Sequence, residues 1–274
     1  MTHEPDPRQR PLSRRSLLAL GGAAALSVAA SGPGGPGATV TPGTAVINPR
    51  PLDLKGLGSS RQVVIVTTSG WSTIHGTIEA WQLGADNVWR LVMAPYNSNI
   101  GINGWVQGDR RVQGDHKTPT GVYRIHTGFG RSANPGTRIG YRQLTPYNYW
   151  AGDQLDPKTY NIFQGSRPST AKWRTSQSEH LYYITPAYQY VAAIDFNLAG
   201  GVHRQSDGQY VATTPANTRL GSAIFLHCYG TTGPYGYTLG CVNTHPAKMS
   251  WLLRWFDPAA APVIAMGPPS AILA

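Results

Sequence analysis

Apolar and polar positions along this chain fall into short runs with two periods. Residues 61–68, RQVVIVTT, form an unbroken β-branched run and predict a buried strand. Residues 76–83 (GTIEAWQL) and 87–93 (NVWRLVM) alternate instead, and Gly84-Ala85-Asp86 between them predicts a hairpin. Further strands are expected at 121–126, 181–184, 190–196 and 262–267. Residues 222–227 are apolar at Ala223, Ile224, Phe225 and Leu226 and end in an imidazole, His227. Only one stretch has helical spacing: Met249, Leu252, Leu253 and Phe256 share a face, which Trp251 and Trp255 widen. Thr244 or His245 is expected to cap this helix, with Pro246 in its first turn and Asp257-Pro258 at its end. Residues 128–178, rich in Pro, Gly, Asn and Tyr, predict a long wrapping excursion, and 200–220 is loop-like. The pattern is that of a mainly β protein with one short C-terminal helix.

Composition agrees with that pattern and adds an address. With 32 Gly, 22 Pro and 13% charged residues in 274, the chain suits a turn-rich β fold with one sizeable core. Ser13-Arg14-Arg15-Ser16-Leu17-Leu18 is a twin-arginine signature, and a Gly/Ala-rich apolar run follows to Ala30. That run is too short for a stable membrane span. The expected organisation is a signal at 1–30, a Pro/Gly-rich linker at 31–60 and one folded domain at 61–267. Export by the twin-arginine pathway to an extracytoplasmic location follows. Losing residues 1–30 takes the formal charge from +10 to +8, with 19 cations against 11 acids. Such a balance favours polyanionic surroundings, an anionic cell wall among them. The cations are scattered, with no run of five, which argues against a nucleic-acid partner.

The chemistry concentrates at 221–246, GSAIFLHCYGTTGPYGYTLGCVNTHP, which holds both cysteines and His227. A thiol becomes a useful nucleophile when a base takes its proton and backbone N–H groups receive the developing oxyanion. Gly240 before Cys241 allows a sharp turn that opens those groups, just ahead of the expected helix, whose N-terminus would favour a thiolate. Cys228, directly after His227 on the strand, alternates to the opposite face. Two other readings stay open on residue type. One is a Cys228–Cys241 disulfide in a non-catalytic wall-binding module, natural for an exported chain. The other is a metal held by His227, Cys228, Cys241 and His245, whose spacings lack a zinc knuckle. Asp115, His116 and Lys117 suit either a substrate groove or a turn fixed by Pro119 and Gly121. Tyr229, Tyr235 and Tyr237 suit an aromatic wall for a peptide or simple loop packing. The sequence names no third residue to orient His227; a backbone carbonyl can serve in that role.

IFLH, a Gly-rich loop and TLGCVN together resemble the signature of the L,D-transpeptidase catalytic domain, the YkuD-type fold. Upstream, GDHKTPTGVY at 114–123 resembles the family's G-D-x-K-T-P-x-G-x-[FY] segment. FGRSANPGT, YNYWAGD, Tyr160-Asn161 and AAIDFN are similar to stretches in its actinobacterial branch. The resemblance spans residues 61–267 and implies a β-sandwich catalytic domain acting on peptidoglycan stem peptides, with no metal or organic cofactor. It implies Cys241 as nucleophile, His227 as base, and Gly240 and Cys241 N–H groups in the oxyanion hole. Tyr229, Tyr237, Thr238 and Asn243 are the expected substrate contacts. The implied reaction is 3–3 cross-linking through a thioester, or L,D-carboxypeptidation if water is the acceptor. Two departures stand out. Leu239 replaces a second histidine found in many members, and Asn243 stands where many have Arg, leaving the substrate carboxylate without an assigned partner.

Overall fold

All six residues of Gln62–Thr67 are buried in the computed structural model, which describes residues 49–274 as a mainly β fold. The expected signal and residues 31–48 of the expected linker lie outside the described residues. The strands are β1 (Gln62–Thr67), β2 (His75–Leu83), β3 (Trp89–Asn99), β4 (Trp105–Gln107), β5 (Thr118–Arg124), β6 (Thr127–Gly130), β7 (Gly140–Gln143) and β8 (Tyr149–Ala151). They continue with β9 (Ile162–Gln164), β10 (Glu179–His180), β11 (Val191–Ala193), β12 (His203–Arg204), β13 (Tyr210–Val211), β14 (Phe225–Cys228), β15 (Val242–Thr244) and β16 (Val263–Met266). Helices α1 (Pro246–Trp255) and α2 (Pro269–Ile272) complete the set.

Eleven strands form one mixed sheet in the order β4-β5-β16-β1-β2-β3-β15-β14-β11-β6-β7. Its two arms meet at the Asn99–Asn243 pair of β3 and β15. The sheet folds there, because one core takes side chains from both arms: Val66, Ile78, Met93 and Ile264 from the first, Ala192, Leu226, Cys228 and Val242 from the second. This is the sandwich arrangement. The predicted helix face closes the same core, with Met249, Leu252, Leu253 and Phe256 fully buried. Each such side chain contributes about 1.5–3 kcal/mol on leaving water. His245 caps α1 by accepting from Ala247 N at 3.2 Å, and Pro246 occupies the first turn, where its missing N–H is of no consequence.

The opposite face of the second arm is covered by the excursion. Phe129, Val191, Ala193, Phe225 and Cys241 project there and meet Leu144, Trp150, Leu181 and Tyr188. Phe225 is edge-on to Phe129 at 5.2 Å and to Trp150 at 4.8 Å. Three expectations are corrected by the fold. Residues 181–184 are not a strand: Leu181–Tyr183 is a 3₁₀ turn that buries Leu181, and Pro186 cannot donate to a continuing ladder. The strand expected at 190–196 is only Val191–Ala193. Residues 51–54 are folded: Leu54 is buried beside Val63 and Ile272 and bridges to Leu273.

Candidate active site

The site is set by the parallel pairing of β14 with β15, in which His227 lies opposite Asn243 and Leu226 opposite Val242. Alternation along each strand then decides which side chains meet. Leu226, Cys228 and Val242 enter the inter-arm core, whereas Phe225 and Cys241 face the excursion. Cys241, one residue before β15, is therefore diagonal to His227, which packs on the same face against the edge of Tyr188 at 5.4 Å. Both cysteines are buried, and they sit on opposite faces of the sheet. That geometry removes the basis for a disulfide or a shared metal. Burial pushes the Cys228 thiol up to about 12, and its sulfur contacts Tyr190 O at 3.6 Å.

His227 Nδ1 lies 2.6 Å from the carbonyl of Cys228. A carbonyl only accepts, so Nδ1 carries the hydrogen and Nε2 is the basic nitrogen. The orienting group is thus the backbone of the next residue. Burial lowers the imidazole to about 4, offset only partly by that bond. His227 is accordingly neutral at pH 7. Cys241 is 8% exposed, and its thiol donates to Ala223 O at 3.2 Å. Ala223 is itself fixed by Asn161, whose Oδ1 accepts from Ala223 N at 3.0 Å and from Trp150 Nε1 at 2.8 Å. Asn161 Nδ2 donates to the carbonyls of Phe196 and Asn197.

The turn before Cys241 is closed by threonines. Thr238 Oγ1 donates to Cys241 O at 2.6 Å and accepts from Gly240 N at 3.1 Å; Thr118 Oγ1 also donates to Cys241 O, at 3.2 Å. Gly240 has φ +126°, and a Cβ there would stand 2.9 Å from both Arg111 Nη2 and Lys117 O. Arg111, 1% exposed, donates through Nε to Lys117 O at 3.1 Å and through Nη1 to Leu220 O at 2.9 Å. A buried guanidinium therefore braces the back of the Gly-Cys turn. Sequence reasoning missed it; its only trace is the pair of glycines, Gly221 and Gly240, that make room for it.

Several expected substrate contacts have other positions. The Thr238 hydroxyl is engaged on both sides within its own turn. Asn243 is buried, and its Oδ1 accepts from Asn99 N at 3.2 Å, holding the two arms together. Tyr229 is buried and donates its hydroxyl to Asn97 O at 2.6 Å, with burial raising it to about 12. Tyr237 and Tyr235 are exposed. Asp115 accepts from Val112 N and Lys117 N, both at 2.9 Å, the geometry of a turn rather than of a groove wall. The expected helix dipole does not reach the sulfur: β15 intervenes, and α1 packs on the other face of the sheet.

The family model of the L,D-transpeptidase catalytic domain (YkuD) matches residues 67–264, from the last residue of β1 into β16. No curated protein matches the chain significantly.

Proposed function

The chain belongs to the L,D-transpeptidase catalytic-domain family, and from that premise we propose that Cys241 and His227 carry acyl transfer between peptidoglycan stem peptides. The observation that supports this most is the tautomer of His227: with Nδ1 held by Cys228 O, a neutral Nε2 is available on the face that carries Cys241. Burial disfavours a resting imidazolium, so the proton leaves sulfur as the sulfur attacks rather than beforehand.

In the proposed reaction, Cys241 Sγ attacks the carbonyl of the stem's third, L-configured residue, and its proton passes to His227 Nε2. The tetrahedral intermediate collapses with cleavage of the amide bond. The imidazolium returns the proton to the departing D-residue amine, and a thioester remains. An amine of a second stem then attacks, giving up its proton to His227, and the thiol is regenerated with a 3–3 cross-link formed. Water in place of the amine gives carboxypeptidation. Cys241 N–H and Gly240 N–H are the proposed oxyanion donors. Gly240 N–H rests on the Thr238 hydroxyl; an anion is the stronger acceptor and draws it away as charge develops.

We further assign the chain to the family's actinobacterial branch on FGRSANPGT, YNYWAGD and AAIDFN, and its export to the twin-arginine segment at 13–18. Among the described residues no helix is long and apolar enough to cross a membrane. Intact-mass spectrometry after carbapenem treatment tests the chemistry. One covalent adduct is expected, absent in Cys241→Ala and slowed roughly 10²–10⁴-fold in His227→Ala. With a tetrapeptide stem the chain releases the terminal D-alanine, and with a second stem it makes a dimer joined third residue to third residue. No adduct and no D-alanine from reduced protein sinks the enzymatic reading.

A further inference from the structure

The bond from His227 Nδ1 to Cys228 O restrains one corner of the imidazole. It leaves the ring plane to the neighbours, because the second side-chain torsion of histidine is broad. We propose that Tyr188, tied through its hydroxyl to Glu179, is the positioning residue that sets this plane and keeps water from the basic nitrogen. The inference rests on the acyl-transfer reading and deepens it. The Tyr188 ring stands T-shaped to the imidazole, with centroids 5.4 Å and planes 63° apart. Its own place is fixed from several sides. Tyr188 N–H donates to Ile184 O at 2.9 Å, and its carbonyl accepts from Arg131 N at 2.9 Å. The ring is T-shaped to Phe129 at 6.0 Å and to Phe225 at 5.8 Å. The hydroxyl donates to Glu179 Oε2 at 2.5 Å, the length of a charge-assisted bond. Glu179 pairs with Trp150 across β10 and β8, and Trp150 packs on Phe225, two residues before His227 on β14.

A phenylalanine would fill this aromatic layer equally well; the phenol adds the tie to a carboxylate. Tyr188 and His227 are both nearly dry, at 4% and 7% exposed. Val191 and Asn243 are the strand partners of His227, Cys241 lies on its face, and Glu179 stands behind the phenol. When Nε2 takes the proton of Cys241 Sγ, the imidazolium forms beside an electron-rich ring whose hydroxyl is bonded to that carboxylate. The arrangement favours the charged imidazole as it forms, while burial keeps it neutral at rest. The pair therefore acts on the transition state more than on the resting site.

The test follows His227 itself, by nitrogen NMR of the histidine-labelled full chain, beside the rate of carbapenem acylation. The parent should show one Nδ1–H tautomer that titrates near 4. Tyr188→Ala opens a polar space between Glu179 and the imidazole that water can enter. His227 should then titrate toward the ordinary 6.5 with mixed tautomers, and acylation should slow by up to about 10²-fold. The acid limb of acylation should rise with it, since a protonated imidazole takes no proton from sulfur. Tyr188→Phe keeps the ring and loses the tie, and should acylate roughly 2–10-fold more slowly. Glu179→Leu should match that loss, the double variant should be no slower than either single one, and Glu179→Gln, which keeps an acceptor, should recover most of the rate. An unchanged tautomer and titration in Tyr188→Ala overturns the proposal, as do losses that add in the double variant. If Tyr188→Ala does not fold, the cycle of Tyr188→Phe with Glu179→Leu decides. A parent chain that forms no adduct sinks the acyl-transfer reading instead, and the NMR titration still reports whether Tyr188 sets the imidazole.

Discussion

Replacing Gly221 by alanine tests the brace behind the catalytic turn. Gly221 has φ +98°, and a Cβ there falls on Arg111 Nη1, the atom that donates to Leu220 O at 2.9 Å. The backbone conformation alone costs an L-residue about 1–2 kcal/mol. Displacing the guanidinium breaks a charged, buried hydrogen bond worth about 1.5–3 kcal/mol. The sum is about 2.5–5 kcal/mol, or roughly 5–20 °C in Tm for a unit of this size. Gly58→Ala isolates the first contribution, since Gly58 has φ +58° with nothing within 4 Å of a Cβ, and should cost about 1 kcal/mol. Thermal and urea unfolding of both variants, and of Gly221→Ala combined with Arg111→Met, give the comparison. In the Arg111→Met background Gly221→Ala should cost no more than Gly58→Ala does. If Gly221→Ala melts within about 3 °C of Gly58→Ala, the brace is not there.

The remaining predictions concern the site, its pH response and export. Cys228→Ala should keep the carbapenem adduct, and native Cys228 should resist alkylation at pH 8, because burial holds its thiol near 12; rapid native labelling of Cys228 refutes this. His227 titrates near 4 when folded against about 6.5 unfolded, so the unfolded chain binds the extra proton first. Its contribution is complete above pH 6.5 and declines as pH falls toward 4, by about 3 kcal/mol; an equal drop in urea midpoint from pH 7 to pH 4 for wild type and His227→Asn refutes this. Asn161→Ala leaves Ala223 N–H and Trp150 Nε1–H unpaired, so it should cost about 2–5 kcal/mol in urea unfolding and slow adduct formation. Arg14→Lys with Arg15→Lys should block export, since ammonium does not replace guanidinium at a twin-arginine signal; unchanged secretion, with the mature N-terminus sequenced, would refute it.

The parts of the fold that were legible in the sequence are those where one period governs enough residues. β1, the β2–β3 hairpin, α1 and β16 each carry their own pattern, and the Gly-Cys turn carries its glycine. What escaped was brought about by tertiary context. β15 is three residues long, Val-Asn-Thr, too short to show an alternation, so Cys241 looked adjacent to the helix. Leu54 reads as one apolar residue in a Pro/Gly-rich tail and is buried only because Ile272 and Val63 meet it. Arg111 has the residue type of a solvated side chain; backbone carbonyls of Lys117 and Leu220 make its burial tolerable. The partner of His227 Nδ1 is a main-chain oxygen, which every residue possesses and none advertises. Thr238, Asn243 and Tyr229, expected at the substrate, also make hydrogen bonds within the domain, which residue type alone does not reveal.

The pairing of β1 with β16 bears on how this protein reaches its folded state. Val63 aligns with Val263 and Val66 with Met266, a separation of 200 residues along the chain. One edge of β1 acquires β2 early, but the other has no partner until residues 263–266 exist. At roughly 5–20 residues per second, that edge waits about 10–40 s during synthesis. Contacts of such high order make for slow closure, and an unpaired apolar strand edge is a template for aggregation. The first arm therefore closes only after translation has passed β16, and the segment a chaperone must shield in the interval is Val63-Val64-Ile65-Val66.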